Sequence, residues 1–186
     1  MENLKNLKVA VLVADGFELS EFVEPVKALE QEGATVHVVS TQKDTVRSWD
    51  NGNWGKEFAV DVELENANPN DFDALLLPGG VINPDKLRRS EKAVDFVKTF
   101  MKEGKPLAAI CHGPWTLIET GMVKGRKLTS FYSIKTDLIN AGADWQDKEV
   151  VVDQNLVTSR NPGDIPAFIS KMTEKFKEGV HEPHSK

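Results

Sequence analysis

The residues best suited to chemistry lie at three points where short apolar runs end. Cys111-His112-Gly113-Pro114 follows Leu107–Ile110, Asp15-Gly16-Phe17-Glu18 follows Lys8–Val13, and Pro78-Gly79-Gly80 follows Ala74–Leu77. Cys111 is the only cysteine, which excludes an intrachain disulfide or a multi-cysteine zinc site. A lone cysteine is most often an inert small hydrophobe. At a tight strand-to-helix turn it becomes a candidate nucleophile, because the turn projects its side chain and a helix starting at Pro114 favours the thiolate. His112 is either a general base for that thiol or a histidine satisfied within the turn. Asp85, in NPDKLR, is either the carboxylate that orients His112 or a turn residue beside a proline. Glu18 is either a first-turn acid or, if buried against Cys111, a protonated carboxyl that donates to the sulfur. Gly79 and Gly80, with the N–H groups around Cys111 and Gly113, form either an oxyanion hole or a plain glycine turn. Neither GxxxxGK[ST] nor GxGxxG occurs, so a nucleotide-phosphate loop is disfavoured.

The elements that must position these residues alternate in type. Lys8–Val13, Thr35–Ser40, Ala74–Leu77 and Leu107–Ile110 read as strands buried on both faces. Ser20–Glu32, ended by Gly33, Glu91–Glu103 and Ile165–Lys177 carry apolar residues at helical spacing. Pro25 belongs at a helix start or a kink. The first strand–helix–strand run is a βαβ unit, so the sheet should be mainly parallel. The three chemically loaded strand ends should then meet at one edge. Val46–Asp61, with its NGNWG, reads as a hairpin excursion, and Val150–Val152 with Leu156–Ser159 as a late hairpin. His37 reads as structural, and His181 and His184 as solvated tail residues.

At 186 residues the chain is about one domain long, taken here as 1–178 with a tail at 179–186. Its apolar fraction of 40% and charged fraction of 28% are those of a globular domain, and its net charge of −6 makes it a poor binder of nucleic-acid phosphates. No apolar run approaches the roughly 20 residues of a spanning helix, and the N-terminus lacks a secretory signal pattern. The expectation is a cytoplasmic protein that binds neither nucleic acid nor membrane.

ADGFELSEFVEP (Ala14–Pro25), LLLPGG (Leu75–Gly80), EGKPLAAICHGPW (Glu103–Trp115), VKGRKLTS (Val123–Ser130), INAGA (Ile139–Ala143) and VVVDQNLVTSRNPGDIPAF (Val150–Phe168) occur in one order across nearly the whole chain. Together they resemble the PfpI-like intracellular protease and stress-protein family, within the class I glutamine amidotransferase-like superfamily. The resemblance implies an α/β fold: a three-layer, flavodoxin-like sandwich with a mainly parallel central sheet and a nucleophile elbow at Cys111. It implies that a glutamate at the position of Glu18 contacts the nucleophile and that His112 completes a Cys-His pair. An acidic residue at the position of Asp85 would reach that histidine from a neighbouring subunit, in a homodimer or hexamer whose active site lies at the subunit interface. Trp115 stands where Gln is frequent, and Phe131-Tyr132-Ser133 where Tyr-Pro-Gly is common, which implies an altered pocket around Trp115 and Phe131. Family members are described as peptidases, as cofactor-free glyoxalases and as deglycases. The expected chemistry is therefore cysteine-dependent attack on small α-oxoaldehydes or glycation adducts, without metal or cofactor, with peptide hydrolysis or a non-enzymatic redox-sensor or chaperone role as the alternatives.

Overall fold

The computed structural model describes residues 3–180. In chain order the strands and helices are β1 Lys8–Val13, β2 Phe17–Glu18, α1 Leu19–Gln31, β3 Thr35–Ser40, β4 Thr45–Asp50, β5 Asn53–Ala59, β6 Val62–Glu63, β7 Ala74–Leu77, α2 Ile82–Arg88, α3 Glu91–Lys102, β8 Leu107–Ile110, α4 Pro114–Glu119, β9 Lys127–Leu128, α5 Lys135–Asn140, β10 Asp144–Trp145, β11 Val151–Asp153, β12 Leu156–Ser159 and α6 Ile165–Glu178. Seven strands form the main sheet in the order β11-β12-β8-β7-β1-β3-β6. Only the β11–β12 pair is antiparallel.

Alternate residues of each central strand face opposite layers, as the two-residue period of a strand requires. Val9, Val11 and Val13 of β1, with Leu76 and Ile110, pack against Phe22 and Leu29 of α1 and Phe168, Met172 and Phe176 of α6. Ala10 and Leu12, with Leu75, Leu77, Leu107 and Ala109, pack against Leu87, Phe96, Phe100, Leu117 and Leu138 from α2 to α5. The result is the expected three-layer α/β sandwich with a mainly parallel sheet.

The strand ends that matter are adjacent. β7 lies between β1 and β8, parallel to both, so the loops after all three leave from the same edge. The excursion is a second, three-stranded sheet, β2-β4-β5. Its hairpin turns at Asn51-Gly52, where φ is +48° and +84°, as a two-residue turn of the favoured twist requires. Asp15 fastens this hairpin to the β1 loop: its carboxylate accepts from the Arg47 N–H at 2.8 Å, while the Gly16 N–H donates to the Arg47 carbonyl at 2.8 Å.

Some elements differ from expectation. Of the two places expected for Pro25, the structure has it inside α1 and not at its start, where it leaves the Glu21 carbonyl without its i+4 donor. Helix α2 occupies INPDKLR, whose Asn-Pro reads locally as a turn. Helix α5 and the two-stranded β9–β10 sheet are too short to carry a periodic signal. His37 sits in β3, edge-on to Phe72. Of the tail placed at 179–186, residues 181–186, with His181 and His184, lie outside the described residues. Among the described residues no helix is long and apolar enough to cross a membrane.

Candidate active site

Cys111 has φ +63°, a left-handed conformation that L-residues rarely adopt and that costs about 1–3 kcal/mol. The turn is pinned on both sides: the Cys111 N–H donates to Ser159 at 3.0 Å, and its carbonyl accepts from the Phe131 N–H at 2.8 Å. The strained elbow expected from the sequence is therefore present, and it turns the thiol into a cavity of about 350 Å³. Gly16, Glu18, Glu21, Trp49, Gly80, Val81, Ile82, His112, Phe131 and Pro162 complete the lining.

His112 faces the thiol. Its Nδ1 lies 3.2 Å from Cys111 Sγ, and its Nε2 lies 2.9 Å from Ser133 Oγ. The ring stacks on Phe131 at 4.8 Å between centroids, tilted by 25°. Burial lowers the imidazole pKa, so the ring is neutral at pH 7.

The carboxyl beside the thiol is Glu21, which corrects the expectation for Glu18. Glu18 still has extended backbone, φ −66° and ψ +124°, at the N-cap of α1. The helix begins one residue later, and its first turn carries Glu21 inward. Glu21 is fully buried. Its Oε1 accepts from the Gly79 N–H at 3.0 Å, and its Oε2 has no hydrogen-bond partner among the described residues. Burial, reinforced by the Glu18 carboxylate, lifts its pKa to about 8. Burial first, then the Glu21 charge, pushes the Cys111 thiol up. Two acids side by side in so dry a place do not both ionise, so the pair carries one negative charge when the thiolate forms. A neutral Glu21 then has a proton to give to the sulfur. Glu18 lies at the pocket wall, its pKa raised by partial burial and by Asp50.

The backbone donors at the sulfur are the N–H groups of Gly80 and His112, both of which favour the thiolate. Helix α4 has six residues, so its dipole adds little beside these individual donors. Gly80 is free to aim because it sits at φ +78°, packed on the Gly16–Glu18 backbone. Gly79 is not an available oxyanion donor, since Glu21 takes its N–H. Gly113 is not one either: its N–H closes the turn onto Ile110 at 2.9 Å, and its lack of a side chain admits the Leu77 and Ile110 carbonyls.

Trp115 is not in the pocket. It projects from α4 behind His112, donates from Nε1 to Asp137 at 3.0 Å and carries Arg88 over its face at 4.8 Å. Phe131 does line the pocket and is 39% exposed. Asp85 is exposed on the first turn of α2. Within the chain the hydroxyl of Ser133, not the carboxylate of Asp85, meets His112. Among the described residues no cluster of three His, Cys, Asp or Glu side chains is placed to hold a metal.

Sequence reasoning gave no role at the site to Glu21, Ser133, Trp49 or Asn83. Asn83 is buried in α2 and joins two of the loops: Oδ1 accepts from the Ala14 N–H at 2.7 Å, and Nδ2 donates to the carbonyls of Pro78 at 3.1 Å and Gly79 at 3.2 Å. The signal for Glu21 is in the sequence, because Glu21, Phe22, Pro25 and Leu29 form the inward stripe of α1, and a charge on such a stripe calls for a role.

The pattern of the DJ-1/PfpI family matches residues 7–175. A protein of Pyrococcus furiosus named deglycase PfpI is 43% identical over 171 residues, which are 92% of this chain and 100% of that one. General stress protein 18 of Bacillus subtilis is 48% identical over 162 residues, 87% of this chain and 92% of that one. The crystal structure of Drosophila melanogaster DJ-1beta superposes with a TM-score of 0.81 at 30% identity, covering 92% of this chain and 94% of that one.

Proposed function

The chain belongs to the DJ-1/PfpI family, and on that premise we propose that it is a cysteine-dependent stress enzyme acting on reactive α-oxoaldehydes and their glycation adducts. The observation that carries this reading is the placement of the Cys111 sulfur at the floor of a small pocket, with a neutral imidazole 3.2 Å away and a buried, protonatable Glu21 beside it. The pocket volume of about 350 Å³ suits a substrate of a few heavy atoms better than an extended peptide.

The steps balance without an external oxidant or reductant. The thiol gives its proton to His112 Nδ1, and sulfur bonds to the aldehyde carbon while the carbonyl electron pair moves onto oxygen. The N–H groups of Gly80 and His112 stabilise that oxyanion, which takes the proton back to become a hemithioacetal. His112 and Glu21 then move the C–H proton to the neighbouring keto carbon and the hydroxyl proton to the keto oxygen, through an enediol, giving a thioester. The aldehyde carbon is oxidised while its neighbour is reduced. Water cleaves the thioester to a 2-hydroxyacid and the free thiol. In a glycation adduct sulfur bonds to the carbinol carbon as its C–N bond breaks, and the amine leaves with the proton that His112 took from the thiol.

In the same reading the protein self-associates. Val81 and Phe131 at the pocket mouth are 54% and 39% exposed, and the exposed Asp85 of one copy would reach the mouth of another. Activity that falls on dilution, with Asp85→Ala impaired only where wild type is associated, tests that part.

Methylglyoxal consumption with lactate detection, without thiol cofactor or added metal, tests the whole. Wild type is expected to form lactate and Cys111→Ala none. Lactate from neither would overturn the reading, as would equal lactate from both.

A further inference from the structure

A histidine that serves a nucleophile must keep one ring nitrogen bare toward it, and what the other nitrogen bonds decides which one that is. For His112 that second bond goes to the Ser133 hydroxyl, 2.9 Å from Nε2, while Nδ1 faces the sulfur at 3.2 Å. Phe131 stacks on one face of the ring and Trp115 meets it edge-on. The charged groups on the neighbouring helices, Arg88 and Asp137, both engage Trp115. Glu18 and Glu21 also line the pocket, and Glu21 is the one beside the sulfur. Ser133 lies in the single 3-10 turn Tyr132–Ile134, tied to the elbow by the Phe131 N–H donating to the Cys111 carbonyl. One short segment thus fixes both the nucleophile's backbone and the base's ring.

We propose that Ser133 is the positioning residue of His112: its oxygen accepts the Nε2 proton and leaves Nδ1 as the acceptor aimed at the thiol. The proposal rests on reading Cys111 and His112 as the reacting pair. A hydroxyl in this place differs from a carboxylate. It is uncharged, so it does not hold the imidazolium that forms once Nδ1 has taken the thiol proton, and that proton returns readily to the substrate oxygen. It also comes from the same chain as His112.

The test uses the full chain with Ser133→Ala and Ser133→Thr. Ser133 is exposed, so both variants should fold and the threonine methyl has room. Nitrogen NMR of histidine-labelled protein is expected to show His112 as the Nε2–H tautomer in wild type and Ser133→Thr, and as a mixture in Ser133→Ala. Alkylation of Cys111 by iodoacetamide at pH 7 should slow about three- to tenfold in Ser133→Ala, the range for one lost hydrogen bond, and return to within about twofold of wild type in Ser133→Thr. An unchanged tautomer and alkylation rate in Ser133→Ala would overturn the proposal. So would Asp85→Ala moving both readouts while Ser133→Ala moves neither. Neither readout needs a substrate: if both behave as expected and wild type still makes no lactate, Ser133 keeps its role and only the carbonyl reading fails.

Discussion

Replacing Glu21 by glutamine should make the protein's stability much less dependent on pH. The carboxyl is fully buried and its pKa rises from 4.5 to about 8, chiefly because burial disfavours the charge. The unfolded chain releases this proton near the ordinary value, whereas the folded chain keeps it. Stability from this group is therefore complete below the unfolded pKa and is lost as pH rises toward 8. For these two pKa values the loss amounts to about 2 kcal/mol at pH 6 and about 4 kcal/mol at pH 8. Glutamine fills the same space and does not titrate. Urea unfolding of both proteins at one concentration, from pH 6 to pH 8, gives the difference directly. The stability of Glu21→Gln relative to wild type should rise by about 2 kcal/mol over that range. A difference constant to within about 0.5 kcal/mol would mean that Glu21 is already ionised or hydrated in the fold. The assignment of a neutral proton donor beside Cys111 would then be refuted.

Three further substitutions probe how the site is built. Asn83→Ala removes three hydrogen bonds to buried backbone groups, of which only the Gly79 carbonyl keeps a second donor, the Glu18 N–H, and should cost about 2–4 kcal/mol in urea unfolding; no loss would mean that the loops are not tied through it. Gly80→Ala forces a side chain onto φ +78° and into the Gly16 carbonyl. It should destabilise by about 2 kcal/mol or more and slow Cys111 alkylation. Trp49→Ala removes a pocket wall that also packs edge-on against Trp54 at 5.3 Å. It should raise KM about fivefold, roughly 1 kcal/mol of lost aromatic contact, with kcat nearly unchanged.

The parts of the fold legible in the sequence are those with strong local signals. KVAVLV, ALLL and LAAI declare buried strands, and their matching direction follows from the helices between them, so the meeting of the β1, β7 and β8 loops was readable before any contact was known. The elbow was readable too, since Ile110-Cys111-His112-Gly113-Pro114 stops a strand and starts a helix within a few residues. The inward stripe of α1 marks Glu21 as unusual, but which of Glu18 and Glu21 reaches the sulfur depends on where α1 begins. A helix start one residue beyond Glu18 leaves that side chain at the wall and swings its neighbour one turn on toward the sulfur. Ser133 was out of reach for a different reason. It approaches His112 from a segment 21 residues away, and no local pattern announces so distant a hydroxyl. For Gly79 and Gly113 the choice between an oxyanion hole and a plain turn is not legible either, because a glycine at a turn signals only that backbone passes closely, not whether its N–H is already taken.

The most direct measurement is to mix wild-type protein with methylglyoxal, quench in acid within the first turnovers and map the products by peptide mass spectrometry. The peptide bearing Cys111 should gain the mass of one methylglyoxal, transiently in wild type and not at all in Cys111→Ser. Modification confined to lysine and arginine side chains, with lactate still forming, would contradict Cys111 as the nucleophile.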